Sequence, residues 1–172
     1  LAAGDLAGVD RLVAASERRG DANGALALQT EAVRRLRDDR TQSDVLAEAY
    51  YRLGLLEEEA ARRLPQRDAR YRENELRSKA AYDSAVALAP FSQRYLIAAG
   101  SQELNLGDLD AAAGDYTRAR NADPTSAVAL VGLGEVALRR GDAAGAKAWL
   151  ARARALAPAD PALLRLARKL RR

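Results

Sequence analysis

The chain has 172 residues, of which 48% are hydrophobic, only 5% aromatic and 30% charged, and it contains neither cysteine nor histidine. This composition suits a single domain of amphipathic helices built from Ala, Leu and Val, and it excludes a disordered chain. It also excludes disulfides, thiolate metal sites, cysteine nucleophiles and the commonest general base, so no cofactor is expected. The net charge of +4 is local: residues 161–172 carry Arg165, Arg168, Lys169, Arg171 and Arg172 with no acid, and the remainder is nearly neutral. No run approaches the roughly 18 to 20 apolar residues of a membrane span. The first residue is Leu1 rather than an initiator methionine, and the expectation is a piece of a longer protein.

A 34-residue period organises the sequence. Pro90, Pro124 and Pro158 are spaced by 34, as are Ala85, Ala119 and Ala153, and Tyr82, Tyr116 and Leu150. The same interval separates Leu96 from Leu130, Gly100 from Gly134, Gly107-Asp108 from Gly141-Asp142, and Ala112 from Ala146. These columns describe a helix, a tight turn and an antiparallel helix. A glycine ends the first helix in a left-handed conformation, and the following aspartate caps the second. Ala112, Tyr116 and Ala119, recurring at offsets of four and three, form that helix's buried stripe. The proline then stops it.

Taken in chain order, a degenerate first unit covers about 6–39, with Gly20-Asp21, Ala25 and Ala32 at the repeat spacings and Val13 and Gln29 where later units hold Gly100 and Tyr116. The second unit, 47–92, is longer. Gly54 to Tyr82 spans 28 residues where Gly100 to Tyr116 spans 16, an excess of 12. Shared between two helices, the excess lengthens each by about six residues, or roughly 9 Å. Pro65 is expected in the first turn of the second of these helices. Glu58 and Arg62, Glu59 and Arg63, Glu73 and Arg77, and Glu75 and Lys79 are acid-first pairs four apart. They read as self-stabilisation of a solvated helix; the alternative is a docking surface using Leu64 and Tyr71. Units 93–126 and 127–160 are near regular. Asp160 and Pro161 open an end helix, 161–172, which caps the last apolar face.

The pattern resembles the tetratricopeptide repeat family, most closely in LVGLGEVALRRGDAAGAKAWLARARALAPAD. The resemblance implies an all-α fold, a right-handed superhelical α-solenoid of four helical hairpins plus a C-terminal capping helix, over one domain, 1–172. It further implies a protein or peptide partner held in a concave groove lined by first helices. Counting from the helix glycines places Tyr51 and Leu55, with Glu58 and Glu59, on that groove in the second unit. The third unit contributes Ile97, Ser101 and Asn105, with Leu104 and, six before Gly100, Arg94. Val131, Glu135 and Arg139, with Leu138, follow in the fourth. Tyr51, Arg94 and Arg139 are the expected anchors; the competing reading is an ordinary solvated surface.

Clamping of a partner's C-terminal carboxylate by groove lysines is disfavoured, because Lys79, Lys147 and Lys169 all fall on second helices or the end helix. Arginine can replace lysine there through bidentate bonds. The Gly132-Leu-Gly134 run is no dinucleotide loop, since no strand precedes it. The basic end helix reads as a solvated terminus, so nucleic acid is not favoured as a partner. Residues 87–119 are also similar to the tetratricopeptide tails of some bacterial O-antigen ligase-like membrane proteins, which would make this a soluble tail of a membrane-anchored parent. A homo-oligomer is a further partner type, and the compartment is either the bacterial cytoplasm or, with a membrane parent, outside it. With no catalytic constellation in view, no enzyme is expected.

Overall fold

The structure, a computed structural model, describes residues 6–37 and 42–170. Among these are nine helices and no strand. In order they are α1 (Leu6–Arg18), α2 (Ala22–Leu36), α3 (Ser43–Arg62), α4 (Ala69–Leu88), α5 (Gln93–Leu106), α6 (Leu109–Ala122), α7 (Ala127–Arg139), α8 (Ala143–Leu156) and α9 (Pro161–Lys169). Successive helices pair as the hairpins α1–α2, α3–α4, α5–α6 and α7–α8, with α9 against α7 and α8. The fold class is that of an α-solenoid. Helices divide between two compact units, Leu1–Pro90 and Phe91–Arg172. The ends of the first unit's first repeat and of the end helix, at 38–39 and 171–172, lie outside the described residues.

The turns follow the columns. Gly107 (φ 88°) and Gly141 (φ 81°) take the left-handed conformation that a Cβ would strain, as Gly20 does in the degenerate repeat. Each is followed by an aspartate whose carboxylate accepts from a backbone N–H of the next helix: Asp21 from Gly24 at 2.8 Å, Asp108 from Ala111 at 3.1 Å, and Asp142 from Gly145 at 2.8 Å. At the end helix, Asp160 caps and Pro161 occupies the first helical position, as its sequence predicts.

In the first unit, Val33, Leu36 and Ala49 form a buried cluster with Leu46 and Leu53 packed on it. Gln29, where later repeats carry an aromatic or leucine, is fully buried, and its amide donates to the Ala49 carbonyl at 2.9 Å. A hydrogen bond thus replaces ring packing between α2 and α3. Helices α3 and α4 have 20 residues each, against 14 in α5 and α6, so the insertion is divided between the two as expected. Pro65 corrects the expectation for its site. It lies in the connecting turn, its carbonyl accepting from Asp68 at 2.8 Å, and Asp68 caps α4. Proline favours such a turn because its fixed φ suits the bend and its carbonyl still accepts.

Of the expected ion pairs, Arg62 meets Glu58 at 3.2 Å, Arg63 meets Glu59 at 3.2 Å, and Arg77 meets Glu73. Lys79 reaches forward to Asp83 at 2.8 Å, and Glu75 is buried rather than solvated.

In the second unit, Leu104, Ala112, Tyr116, Leu133 and Val136 make one buried cluster. Leu130, Val131, Ala153, Leu163 and Leu166 make another beneath α9. Trp149 is half-buried and packs against both. Ala112, Ala119, Ala146 and Ala153 have no exposed surface, which confirms the stripe on the second helices. No described helix is long and apolar enough to cross a membrane.

Candidate functional site

In the first unit, the first helices α1 and α3 flank a cleft of about 390 Å³. Leu55, 39% exposed, stands in it with Asp10, Ala14 and Glu17 of α1, Arg52 of α3 and Gln29 of α2 beneath. The Arg52 guanidinium pairs with Asp10 and, at 2.9 Å, with Glu48, so the cleft has a fixed charge arrangement beside an apolar side chain. Counting from Val13 by the offsets used for Gly54 reaches Asp10, Ala14 and Glu17. The signal that would have found them was present in the degenerate repeat. Tyr51 lies on the same helix, half-buried, its ring centre 5.9 Å from that of Tyr82. Tyr82 in turn donates to Glu58 at 2.9 Å. These contacts hold Tyr51 and Glu58 in place.

In the second unit, α5 presents Arg94, Ser101 and Asn105 to solvent. The Arg94 guanidinium rests 5.1 Å from the Tyr95 ring centre, which orients it while leaving it accessible. Burial pushes the Tyr116 phenol up to about 12, a rise that the Ser101 side chain opposes. Ile97 is half-buried against the Leu104–Tyr116–Leu133 cluster.

The α7 positions behave differently. Val131 is 4% exposed, packed with Leu163 and Leu166, and so offers no surface. Glu135 accepts from Lys169 of α9 at 2.7 and 2.9 Å. The Arg139 guanidinium donates to the Leu104 carbonyl at 2.8 Å, tying α7 to α5. The position three before the helix glycine faces the following helix, so Ile97 meets the cluster shared with α7 and Val131 meets the one shared with α9. Among the described residues, no group of three or more Asp, Glu, His or Cys side chains could hold a metal ion.

The family profile described as a tetratricopeptide repeat matches residues 103–170. Those residues belong to the tetratricopeptide repeat family. No curated protein matches the chain. Among solved structures, a thermophilic tetratricopeptide protein of Thermus thermophilus is 20% identical with a TM-score of 0.63, over 94% of this chain and 97% of that one. A double mutant of MamA from RS-1 is 18% identical with a TM-score of 0.74, over 98% and 83% of the two chains. YrrB, described as a tetratricopeptide protein with an unusual peptide-binding site, is 18% identical with a TM-score of 0.53, over 91% and 88%. These likenesses establish the tetratricopeptide fold.

Proposed function

We propose that the chain is a non-catalytic scaffold that binds a peptide or partner domain on the first-helix faces of its tetratricopeptide repeats. The observation that carries this reading is the row on α5. There Arg94, Ser101 and Asn105 are exposed beside half-buried Ile97, an arrangement of oriented donors next to apolar surface. Such a row suits an extended peptide, whose carbonyls and carboxylates accept from Arg94 and Asn105 while an apolar side chain covers Ile97. In the first unit, Leu55 with Asp10, Glu17 and Arg52 offers the same combination. The peptide-binding description of YrrB is consistent with this use of the fold. Many of the acidic side chains serve as helix caps or in ion pairs, among them Asp21, Asp108, Asp142, Glu58 and Glu135.

Selection of displayed random peptides on the purified chain tests the reading. Selected peptides are expected to lose about tenfold in affinity to the variant Arg94→Glu or Leu55→Glu. Failure to select any peptide, or binding indifferent to both changes, would falsify it.

A further inference from the structure

A second surface lies on the second helices of the Phe91–Arg172 unit. That stretch contains thirteen basic and eight acidic residues. Its acids are occupied. Asp108, Asp142 and Asp160 cap helices. Asp110, Asp115 and Glu135 pair with Arg140, Arg118 and Lys169. Asp123 accepts from Gln93 and Thr125, and Glu103 is buried. Among the described residues, Arg120 of α6 and Arg152 of α8 have no ion pair, yet both are drawn to one place. Their guanidinium carbons stand 5.6 and 5.0 Å from the centre of the Trp149 ring. Arg120 is steadied further by donating to the Asn121 side chain at 2.8 Å.

Beside this pair of cations runs a cleft of about 700 Å³, walled by Pro124, Leu130, Ala155 and Leu156. Leu156 is 46% exposed. The ring face offsets part of the repulsion between two guanidiniums, but the complement that satisfies them is an anion with oxygens to accept their paired N–H groups. A bare anion would leave the apolar wall wet. An acidic segment carrying a large apolar side chain covers both. Guanidinium is weakly hydrated, so little is lost when such a segment excludes water from it.

We infer that the cleft between α6 and α8 docks an acidic, leucine-bearing peptide segment of a partner protein, with carboxylates on Arg120 and Arg152 and an apolar side chain over Pro124, Ala155 and Leu156. This surface is separate from the first-helix faces proposed above, and either can fail without the other.

Trp149 is the only tryptophan in the chain, so its emission reports on the cleft. The whole protein is titrated with synthetic peptides in which leucines flank a Glu-Asp pair at varied spacing, and with the matched set carrying Gln-Asn. The acidic set is expected to give a saturable change in Trp149 emission that weakens with salt. The amide set, the Arg120→Gln/Arg152→Gln variant and Leu156→Ser are each expected to bind about tenfold more weakly. Circular dichroism checks that the variants keep their helix content; should the double variant lose it, the comparison of acidic with amide peptides on the wild-type protein decides. No saturable change with the acidic set overturns the inference, as does equal binding of the amide set. It also falls if inorganic phosphate or anionic phosphatidylserine vesicles saturate the same signal at least as tightly, or if the signal tracks self-association of the chain.

Discussion

Gly132 of α7 lies against the ring of Tyr116 of α6 so closely that a Cβ at Gly132 would stand 2.4 Å from the ring. Tyr116 is 4% exposed and has Gly100 on its own hairpin's side, where a Cβ would come within 3.3 Å, so the ring has no room to withdraw. Gly132→Ala is therefore expected to destabilise the protein by about 2 kcal/mol through overpacking. Gly114, on the exposed side of α6, would gain a Cβ with nothing within 4 Å. There the same change should stabilise by about 1 kcal/mol, the difference in helix propensity. Thermal denaturation of the two variants should show melting temperatures displaced in opposite directions.

The buried tyrosines predict an alkaline limit. Burial raises the Tyr116 phenol from 10.0 to about 12 and lifts Tyr82 further still, burial again being the main cause, with the Glu58 charge adding to it. A raised folded-state value means that the native protein keeps a proton the unfolded chain has released. The associated stability is complete below pH 10 and is lost as pH rises through the folded-state value. Each such group costs at most about 1.4 kcal/mol per pH unit in that window. Urea midpoints measured at increasing pH should fall from about pH 10 upward, and Tyr116→Phe should make the fall shallower.

Glu57 of α3 predicts the opposite design of variant, one that gains stability. It is 6% exposed, its Oε2 has no hydrogen-bond partner, and it forms part of the floor of a cleft of about 690 Å³ between α2 and α4. Burial raises its carboxyl above the ordinary value; Arg77 opposes the rise and Glu73 adds to it. Stability from this group is present below the unfolded carboxylate value and lost as pH rises through the folded one. At neutral pH the ionised form is thus a cost. Glu57→Leu should stabilise by about 1 kcal/mol at pH 7, with the gain shrinking under acid conditions. Equal or lower stability at neutral pH would contradict this account of the site.

The outward ion pairs of the long hairpin should matter little singly. Glu73 and Arg77 are each 55% exposed, and Glu73→Ala is expected to change stability by less than about 0.5 kcal/mol. A chemical denaturation curve that moves more than this would mark the pair as part of a larger network.

The hairpins were legible because their columns encode backbone requirements. Gly107-Asp108 and Gly141-Asp142 state a left-handed residue followed by a cap, and the structure has both. The lengthened α3 and α4 followed from the spacing of Gly54 and Tyr82 in the same way. Pro65 was less legible because proline suits either a first helical turn or the loop before it, and the choice rests with Asp68 as the cap. Site residues were harder. Val131 and Ile97 share a column, yet one is buried and the other half-buried, because α9 covers Val131 with Leu163 and Leu166. Periodicity reports which way a side chain leaves its helix, and only the next helix decides what it meets. Glu57 shows the same limit, since a glutamate among EEE looks solvated until its neighbours are in place.

The scaffold reading meets its most direct test in hydrogen–deuterium exchange of the chain with and without a selected peptide. Binding at the proposed faces predicts slowed exchange concentrated in α1 and α3, or in α5 and α7, with the second helices α2, α4, α6 and α8 little changed. Slowing confined to the second helices, or no change anywhere at saturating peptide, would contradict it.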